Sequence, residues 1–298
     1  MKRIFYFNIT YGCNSKCIFC YSHNTWHNSM PHNEMPLELF IAYLEQKHVS
    51  HNDRVIINGG EPLLHTEFMR LLASLKKYNC EVLIYTNGRL LSNIDLTLLD
   101  SNFRFIVPVH GDKTLHDSIT GIKGSYDETL LGMNSFNTSV QCKLDLKVIL
   151  HNRMIENEER FKIILESYSN VYFNNAVHLT KMADTLVSKN NNCVSMTNEA
   201  TSHYMKIMFE YFAKKNFIIK IFDTCVKDFD WVKSYTFEKF HDNIEVYFKD
   251  YNQGRQIILE KPKLDCSKDC SMREYCMSAV GEYTVLEFNK NKLYENLE

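Results

Sequence analysis

Short apolar runs alternate with amphipathic stretches six times in the first 180 residues, and this alternation limits the fold more than any other feature. Strand-like runs fall at 4–9, 54–58, 81–86, 103–110, 143–150 and 171–177. Helical spacing marks the run after Pro36 (Leu37, Phe40, Ile41, Leu44), then 66–78, the surroundings of 95–99, 126–136 and 156–168. Residues 112–126, with Gly121 and Gly124, read as a loop. Strands separated by helices need crossover connections, so the sheet is expected to be parallel. Six units are too few to close an eight-fold barrel.

The loop after the first run, YGCNSKCIFCY, carries Cys13, Cys17 and Cys20 in a C-x3-C-x2-C spacing. Three thiolates there suit three irons of a [4Fe–4S] cube and leave the fourth iron open to bind and reduce a ligand. The alternative is zinc, which wants a fourth donor such as His23 or His27. The second run ends in Gly59-Gly60-Glu61-Pro62. Paired glycines at the carboxyl end of a strand let a ligand approach the backbone closely, and α/β folds bind ligands at those ends.

These two motifs together, with Phe19 before the last cysteine, resemble the radical S-adenosylmethionine (radical SAM) superfamily. The resemblance implies a partial (β/α)6 TIM-like barrel. It implies a [4Fe–4S] cluster on Cys13, Cys17 and Cys20 whose open iron chelates SAM, and reductive cleavage of SAM to a 5′-deoxyadenosyl radical that abstracts a substrate hydrogen. It further implies that Glu61 engages the SAM amino group while Gly59, Gly60 and Pro62 shape the loop, and that a flavodoxin- or ferredoxin-type protein donates the electron. The segment from His110 to Phe136, with His-Gly, His116-Asp117, Thr-Gly and Gly-Ser, is similar to one that recurs in members carrying extra clusters. His110 then faces the site. Thr86, Asn87 and Lys147 are candidate SAM contacts by strand-end position alone.

Past residue 180 the pattern changes, and a boundary is placed at 188/189, giving a barrel of residues 1–188 and a small unit of 189–298. The latter reads as a helix over 198–215 with a Met and aromatic stripe, a strand-like run at 217–222, and a hairpin over 243–260. Cys266, Cys270 and Cys276 follow in a C-x3-C-x5-C run, with Cys225 as the natural fourth ligand. This unit resembles the SPASM and Twitch auxiliary-cluster extensions, the shorter Twitch type being favoured because the thiols suffice for one auxiliary [4Fe–4S] cluster. Cys80 and Cys142, at strand starts, read as buried structural thiols. Cys193 and Cys225 are candidate hydrogen-atom donors.

Composition closes off other classes. Ten cysteines without export features point to metal binding in a reducing, cytoplasmic compartment. A net charge of −2 with no basic block gives nucleic-acid binding little support. No apolar run approaches the ~18–20 residues a membrane span needs. The expected activity is modification of a ribosomally made peptide by crosslinking, oxidation or epimerisation. A separate recognition protein is expected, since the first strand begins at once. The alternatives are a radical dehydrogenase or epimerase of a sugar or aminocyclitol, and a non-catalytic zinc-binding module.

Overall fold

The computed structural model describes residues 2–20, 34–137, 141–182, 186–222, 231, 244–250 and 255–259. Seven strands run parallel in chain order: β1 (Lys2–Asn8), β2 (Arg54–Asn58), β3 (Glu81–Tyr85), β4 (Phe103–Pro108), β5 (Lys143–Leu150), β6 (Ala176–Lys181) and β7 (Ile218–Phe222). Helices α1 (Leu37–Gln46), α2 (Phe68–Lys76), α3 (Lys113–Thr120), α4 (Ser125–Asn134), α5 (Glu158–Ser167), α6 (Leu186–Asn190) and α7 (Asn198–Ala213) lie in the connections. The strands are short and β-branched or aromatic on the face that helices cover. Phe5, Phe7, Val55, Ile57, Val82, Ile84, Phe105 and Val107 join Phe40, Leu44, Leu72, Leu75 and Ile164 in one buried cluster. The six expected strands are therefore present, and a seventh extends the open barrel.

The opposite face is polar near the amino ends of the strands. Arg54 Nε donates to Glu81 Oε2 at 2.8 Å, and Arg104 lies 3.7 Å from Glu81 and 3.8 Å from Asp145. His178 Nε2 is 2.6 Å from Asp145 Oδ2. A ladder of alternating charge thus crosses four adjacent strands, β2 to β5, and the His178 imidazole hydrogen-bonds its end from β6. Buried charges are tolerated when each has a partner of the other sign.

The structure corrects several boundaries. Residues 113–120 form helix α3, not a loop: the Asp112 carboxylate accepts from Leu115 N–H at 3.0 Å as an N-cap, and Gly121, at φ 67°, ends the helix. Residues 95–99 are not an α-helix; two 3₁₀ turns, Leu91–Asn93 and Leu96–Leu98, cross that stretch. The sixth strand begins at Ala176, not 171, because the Asn174 side chain accepts from Leu144 N–H at 2.8 Å and donates to Cys142 C=O, so pairing with β5 begins later. The buried stripe of α7 is Met205, Met208, Phe209 and Phe212, with Tyr204, Ile207 and Tyr211 half-buried at its flank.

The hairpin over 243–260 is present as β8 (Ile244–Asp250) and β9 (Arg255–Leu259), antiparallel. β8 also pairs parallel with β1, so the complete sheet order is β7-β6-β5-β4-β3-β2-β1-β8-β9. Among the described residues no helix is long and apolar enough to cross a membrane.

Candidate active site

The cysteine loop leaves β1 and lies across the carboxyl ends of β2 and β3. Gly60 N–H donates to Thr10 C=O at 2.8 Å and Glu61 N–H donates to Gly12 C=O at 2.7 Å. This contact explains the glycine pair. A Cβ on Gly60 would sit 2.3 Å from Gly12 O, and one on Gly59 would sit 2.4 Å from Thr10 O. Both obstacles are backbone atoms that have no rotamer to yield. Gly60→Ala is therefore expected to push the two strand-end loops apart, leaving the protein with most of its reconstituted iron lost. Colorimetric iron per chain checks this, and wild-type iron in the variant would refute the packing argument.

The β3 end continues the cradle. Asn87 Nδ2 donates to Asn14 Oδ1 at 2.6 Å, and the Arg89 guanidinium donates to Asn14 C=O while pairing with Glu128. Glu61 is wholly buried, and its carboxylate accepts from Thr86 Oγ1 (2.6 Å), Asn87 N–H (2.7 Å) and Leu63 N–H (3.1 Å). Burial pushes this carboxyl up, against the pull of those three donors. Glu61 and Thr86 thus tie the end of β2 to the end of β3, and Asn87 reaches on to the loop. Pro62 is buried at the start of a turn over Pro62–Leu64.

Cys13, Cys17 and Cys20 are all half-buried, and Cys20 N–H closes a turn onto Cys17 C=O at 3.0 Å. Ser15 N–H points at Cys13 Sγ, 3.4 Å away. Burial pushes the Cys13 thiol up to about 12 and the Cys17 thiol higher still. Without a cation these groups are neutral thiols, and bound iron supplies the positive charge that thiolates require. Among the described residues no three His, Cys, Asp or Glu side chains are gathered tightly enough for a single metal ion. A mononuclear zinc site holds its sulfurs about 2.3 Å from one centre. An all-thiol set with a backbone N–H, that of Ser15, aimed at the Cys13 sulfur fits an iron–sulfur cluster, whose potential such bonds tune.

Beyond Phe19 lie two imidazoles. His110, two residues past β4, meets the Phe19 ring edge-on at 5.2 Å, and His151, one residue past β5, is 6.0 Å from it. Both are buried; His110 Nδ1 and both ring nitrogens of His151 have no hydrogen-bond partner among the described residues. His110 N–H donates to His116 Nδ1 at 3.2 Å. Lys147 Nζ sits 5.4 Å from the centre of the Tyr85 ring. Phe19, Gly59, Gly60, Glu61, Thr86, Asn87 and His110 are thus gathered around the cysteine loop. Lys147 is two residues deeper along β5 than Ile149 and four before His151, on the same face by strand alternation.

Cys193 is not gathered there. It is fully buried in the apolar cluster, 3.8 Å from Met182 Sδ, and burial pushes its thiol up to about 11. Cys80 and Cys142 are buried, as expected of structural thiols. Cys225, Cys266, Cys270 and Cys276, with His23 and His27, lie outside the described residues. Sequence reading missed Asn14, Arg89 and His151. Arg89 had a weak signal, following Asn87-Gly88 at a strand end; His151 had only its place just after β5.

Comparisons with known proteins agree with this fold. The family model described as the Radical SAM superfamily matches residues 7–167. Over 80 residues the chain is 39% identical to 7-carboxy-7-deazaguanine synthase of Halobacterium salinarum, covering 26% of this chain and 30% of that protein. Over 136 residues it is 25% identical to Fe-coproporphyrin III synthase of Methanosarcina barkeri, covering 45% and 34%. The match thus spans about a third of the length of these curated relatives. Among solved structures, Streptococcus suis SuiB superposes with a TM-score of 0.62 at 14% identity, covering 86% of this chain and 59% of that one. Native anSMEcpe with bound AdoMet superposes with a TM-score of 0.60 at 14% identity, covering 100% and 96%. At such identities these two superpositions speak for the fold.

Proposed function

The chain belongs to the radical SAM superfamily, and on that premise we propose that it is an enzyme that modifies a ribosomally made peptide. The observation that carries the assignment of the chemistry is the three-cysteine loop held by Gly60, Glu61, Asn87 and Arg89 at the carboxyl ends of β2 and β3. Cys13, Cys17 and Cys20 would hold a [4Fe–4S] cluster, which with SAM would supply reductive SAM cleavage and hydrogen abstraction from substrate. The chain's own residues prepare the place. Gly59 and Gly60 bring backbone close to the loop. Glu61, with Thr86 and Asn87, locks two strand ends together, and Phe19 with His110 and His151 walls the side toward β4 and β5.

Peptide as the substrate class is supported by two likenesses. SuiB has been solved bound to its precursor peptide SuiA with a TM-score of 0.61 to this chain, and mycofactocin maturase MftC of Mycolicibacterium smegmatis is 22% identical over 163 residues. A small-molecule substrate is the second reading, supported by the names of the two curated relatives above. Cys225, Cys266, Cys270 and Cys276 are proposed to hold one auxiliary cluster, Cys225 being a hydrogen donor instead only where the other three thiols alone hold it, with a flavodoxin or ferredoxin as reductant in a cytoplasmic setting.

The test is anaerobic reconstitution followed by incubation with SAM, dithionite and short peptides encoded beside the gene, read by mass spectrometry. A mass change in a peptide together with 5′-deoxyadenosine supports the proposal, and 5′-deoxyadenosine with only small-molecule turnover favours the second reading. Cys270→Ala is expected to keep 5′-deoxyadenosine formation within about twofold while losing product, because the auxiliary site acts after abstraction. Full product from this variant would remove Cys270 from the proposed site.

A further inference from the structure

The segment from His116 to Tyr126 has no role in the chemistry described so far, yet it grips the cysteine loop at Lys16 and Ile18, past the stretch that the glycine pair holds. Lys16 N–H donates to Thr120 C=O at 2.8 Å and Ile18 N–H donates to Ile119 C=O at 2.9 Å. These two bonds bracket Cys17. Both acceptors belong to the last turn of α3, where a helix leaves its carbonyls without internal partners. The loop's amides therefore take the place of a helical cap.

What aims those carbonyls is the turn that follows, and one side chain organises it. Asp117 Oδ2 accepts from Gly124 N–H at 2.6 Å; Oδ1 accepts from Tyr126 N–H at 2.9 Å and from Ser125 Oγ at 3.0 Å. Ser125 Oγ lies 2.6 Å from Thr120 Oγ1. Burial tends to raise the Asp117 carboxyl, but these donors outweigh it and hold it below the usual carboxylate range. Gly121, at φ 67°, turns the chain beside the loop, and a Cβ there would stand 3.0 Å from Lys16 O. The carboxylate is thus a hub: it fixes the α3–α4 turn, the turn fixes the carbonyls of Ile119 and Thr120, and these fix the backbone on both sides of Cys17.

We propose that Asp117 is a positioning residue for the cluster-binding loop, acting through the α3–α4 turn on the backbone that presents Cys17. The proposal rests on the reading of Cys13, Cys17 and Cys20 as cluster ligands. It assigns Asp117 no contact with substrate or SAM. Loss of the hub frees the turn, releases the Lys16 and Ile18 amides, and lets the loop open more often to solvent and oxidant, without altering the thiol set.

The experiment compares anaerobically reconstituted wild type with Asp117→Ala, Asp117→Asn and Asp112→Ala. Asp112 caps the other end of α3 and pairs with Arg160, so its variant weakens the same helix without touching the loop. Two quantities are read: amide hydrogen exchange at Lys16 and Ile18, and the rate at which a ferrous chelator strips iron. Losing two or more hydrogen bonds in a local opening unit corresponds to about tenfold or more in both rates. Asp117→Ala is expected to show that increase. Asp117→Asn, which keeps the acceptor for Tyr126 and loses the one for Gly124, is expected to fall between, and it serves if the alanine variant does not fold. Asp112→Ala is expected to lower the melting temperature while leaving both rates near wild type. Exchange and iron release unchanged in Asp117→Asn, or raised equally by Asp112→Ala, would overturn the proposal. Wild-type protein that takes up no iron would instead overturn the reading of the cysteines.

Discussion

Cys17→Ala is expected to abolish 5′-deoxyadenosine formation, to below about a thousandth of the wild-type rate, and to lose the broad absorption near 400 nm after reconstitution. Cys17 is the middle one of the three proposed ligands, and its backbone is held on both sides by α3 carbonyls. Removing its sulfur leaves only two thiols on the loop. A cluster with two protein ligands is bound weakly and loses the site-differentiated iron on which SAM binding depends. A positioning defect would reduce the rate partially, whereas loss of a ligand removes the reaction path altogether. Anaerobic iron analysis and chromatographic detection of 5′-deoxyadenosine check both parts together. Retained SAM cleavage would mean that Cys17 is not a ligand. Cys13→Ala and Cys20→Ala are expected to behave alike, since all three sulfurs serve one cube.

The second large effect is loss of stability in mild acid. His110, His116, His151 and His178 are all buried, and burial is the leading cause holding each below the ordinary histidine value. His116 and His151 come down to about 4. For His178, burial outweighs the Asp145 carboxylate beside it. In the unfolded chain each imidazole takes up a proton near pH 6.5, while in the folded chain it stays neutral to a lower pH. Unfolding therefore binds protons below pH 6.5, and stability is complete above that pH and falls as the pH drops.

Each such histidine contributes a slope of about 1.4 kcal/mol per pH unit. For His116 and His151 alone, the loss between pH 6.5 and pH 5 is about 3 kcal/mol, a large share of the 5–15 kcal/mol that domains typically possess. Urea midpoints at pH 7 and pH 5 measure it. His151→Leu is expected to remove one proton from the slope and to raise the midpoint at pH 5, because it deletes two buried nitrogens that have no partner. Equal midpoints at the two pH values would show that these histidines are already charged in the folded state.

What the chain disclosed in one dimension follows from the range of the forces. The cysteine loop and the Gly59-Gly60-Glu61-Pro62 turn were legible because their chemistry is written in adjacent residues. The parallel sheet was legible because β1 to β5 are short apolar runs separated by amphipathic ones. Helix α3 was misread although Asp112 and Gly121 are a normal start and stop signal; the glycines around it suggested a loop more strongly than Leu115 and Ile119 suggested a helix. The start of β6 was ambiguous because residues 171–173 are as strand-like as those from 176 on, and Asn174 reaching across to β5 decides the register.

The interactions that make the site were not legible at all. Asn14 meets Arg89 across 75 positions, Lys16 meets Thr120 across more than a hundred, and β8 pairs with β1 across most of the chain. No local pattern encodes such contacts. His151 is harder still, since what distinguishes it is the absence of a partner in a buried place.

The most direct test of the cysteine-loop assignment is electron paramagnetic resonance of the anaerobically reconstituted, dithionite-reduced protein, recorded before and after adding SAM. A signal of a reduced [4Fe–4S] cluster whose g-values shift when SAM is added is the predicted result, since an open iron exchanges its ligand for the SAM amino and carboxylate groups. A protein that binds zinc and gives no signal, or a cluster signal that SAM leaves unchanged, would contradict it.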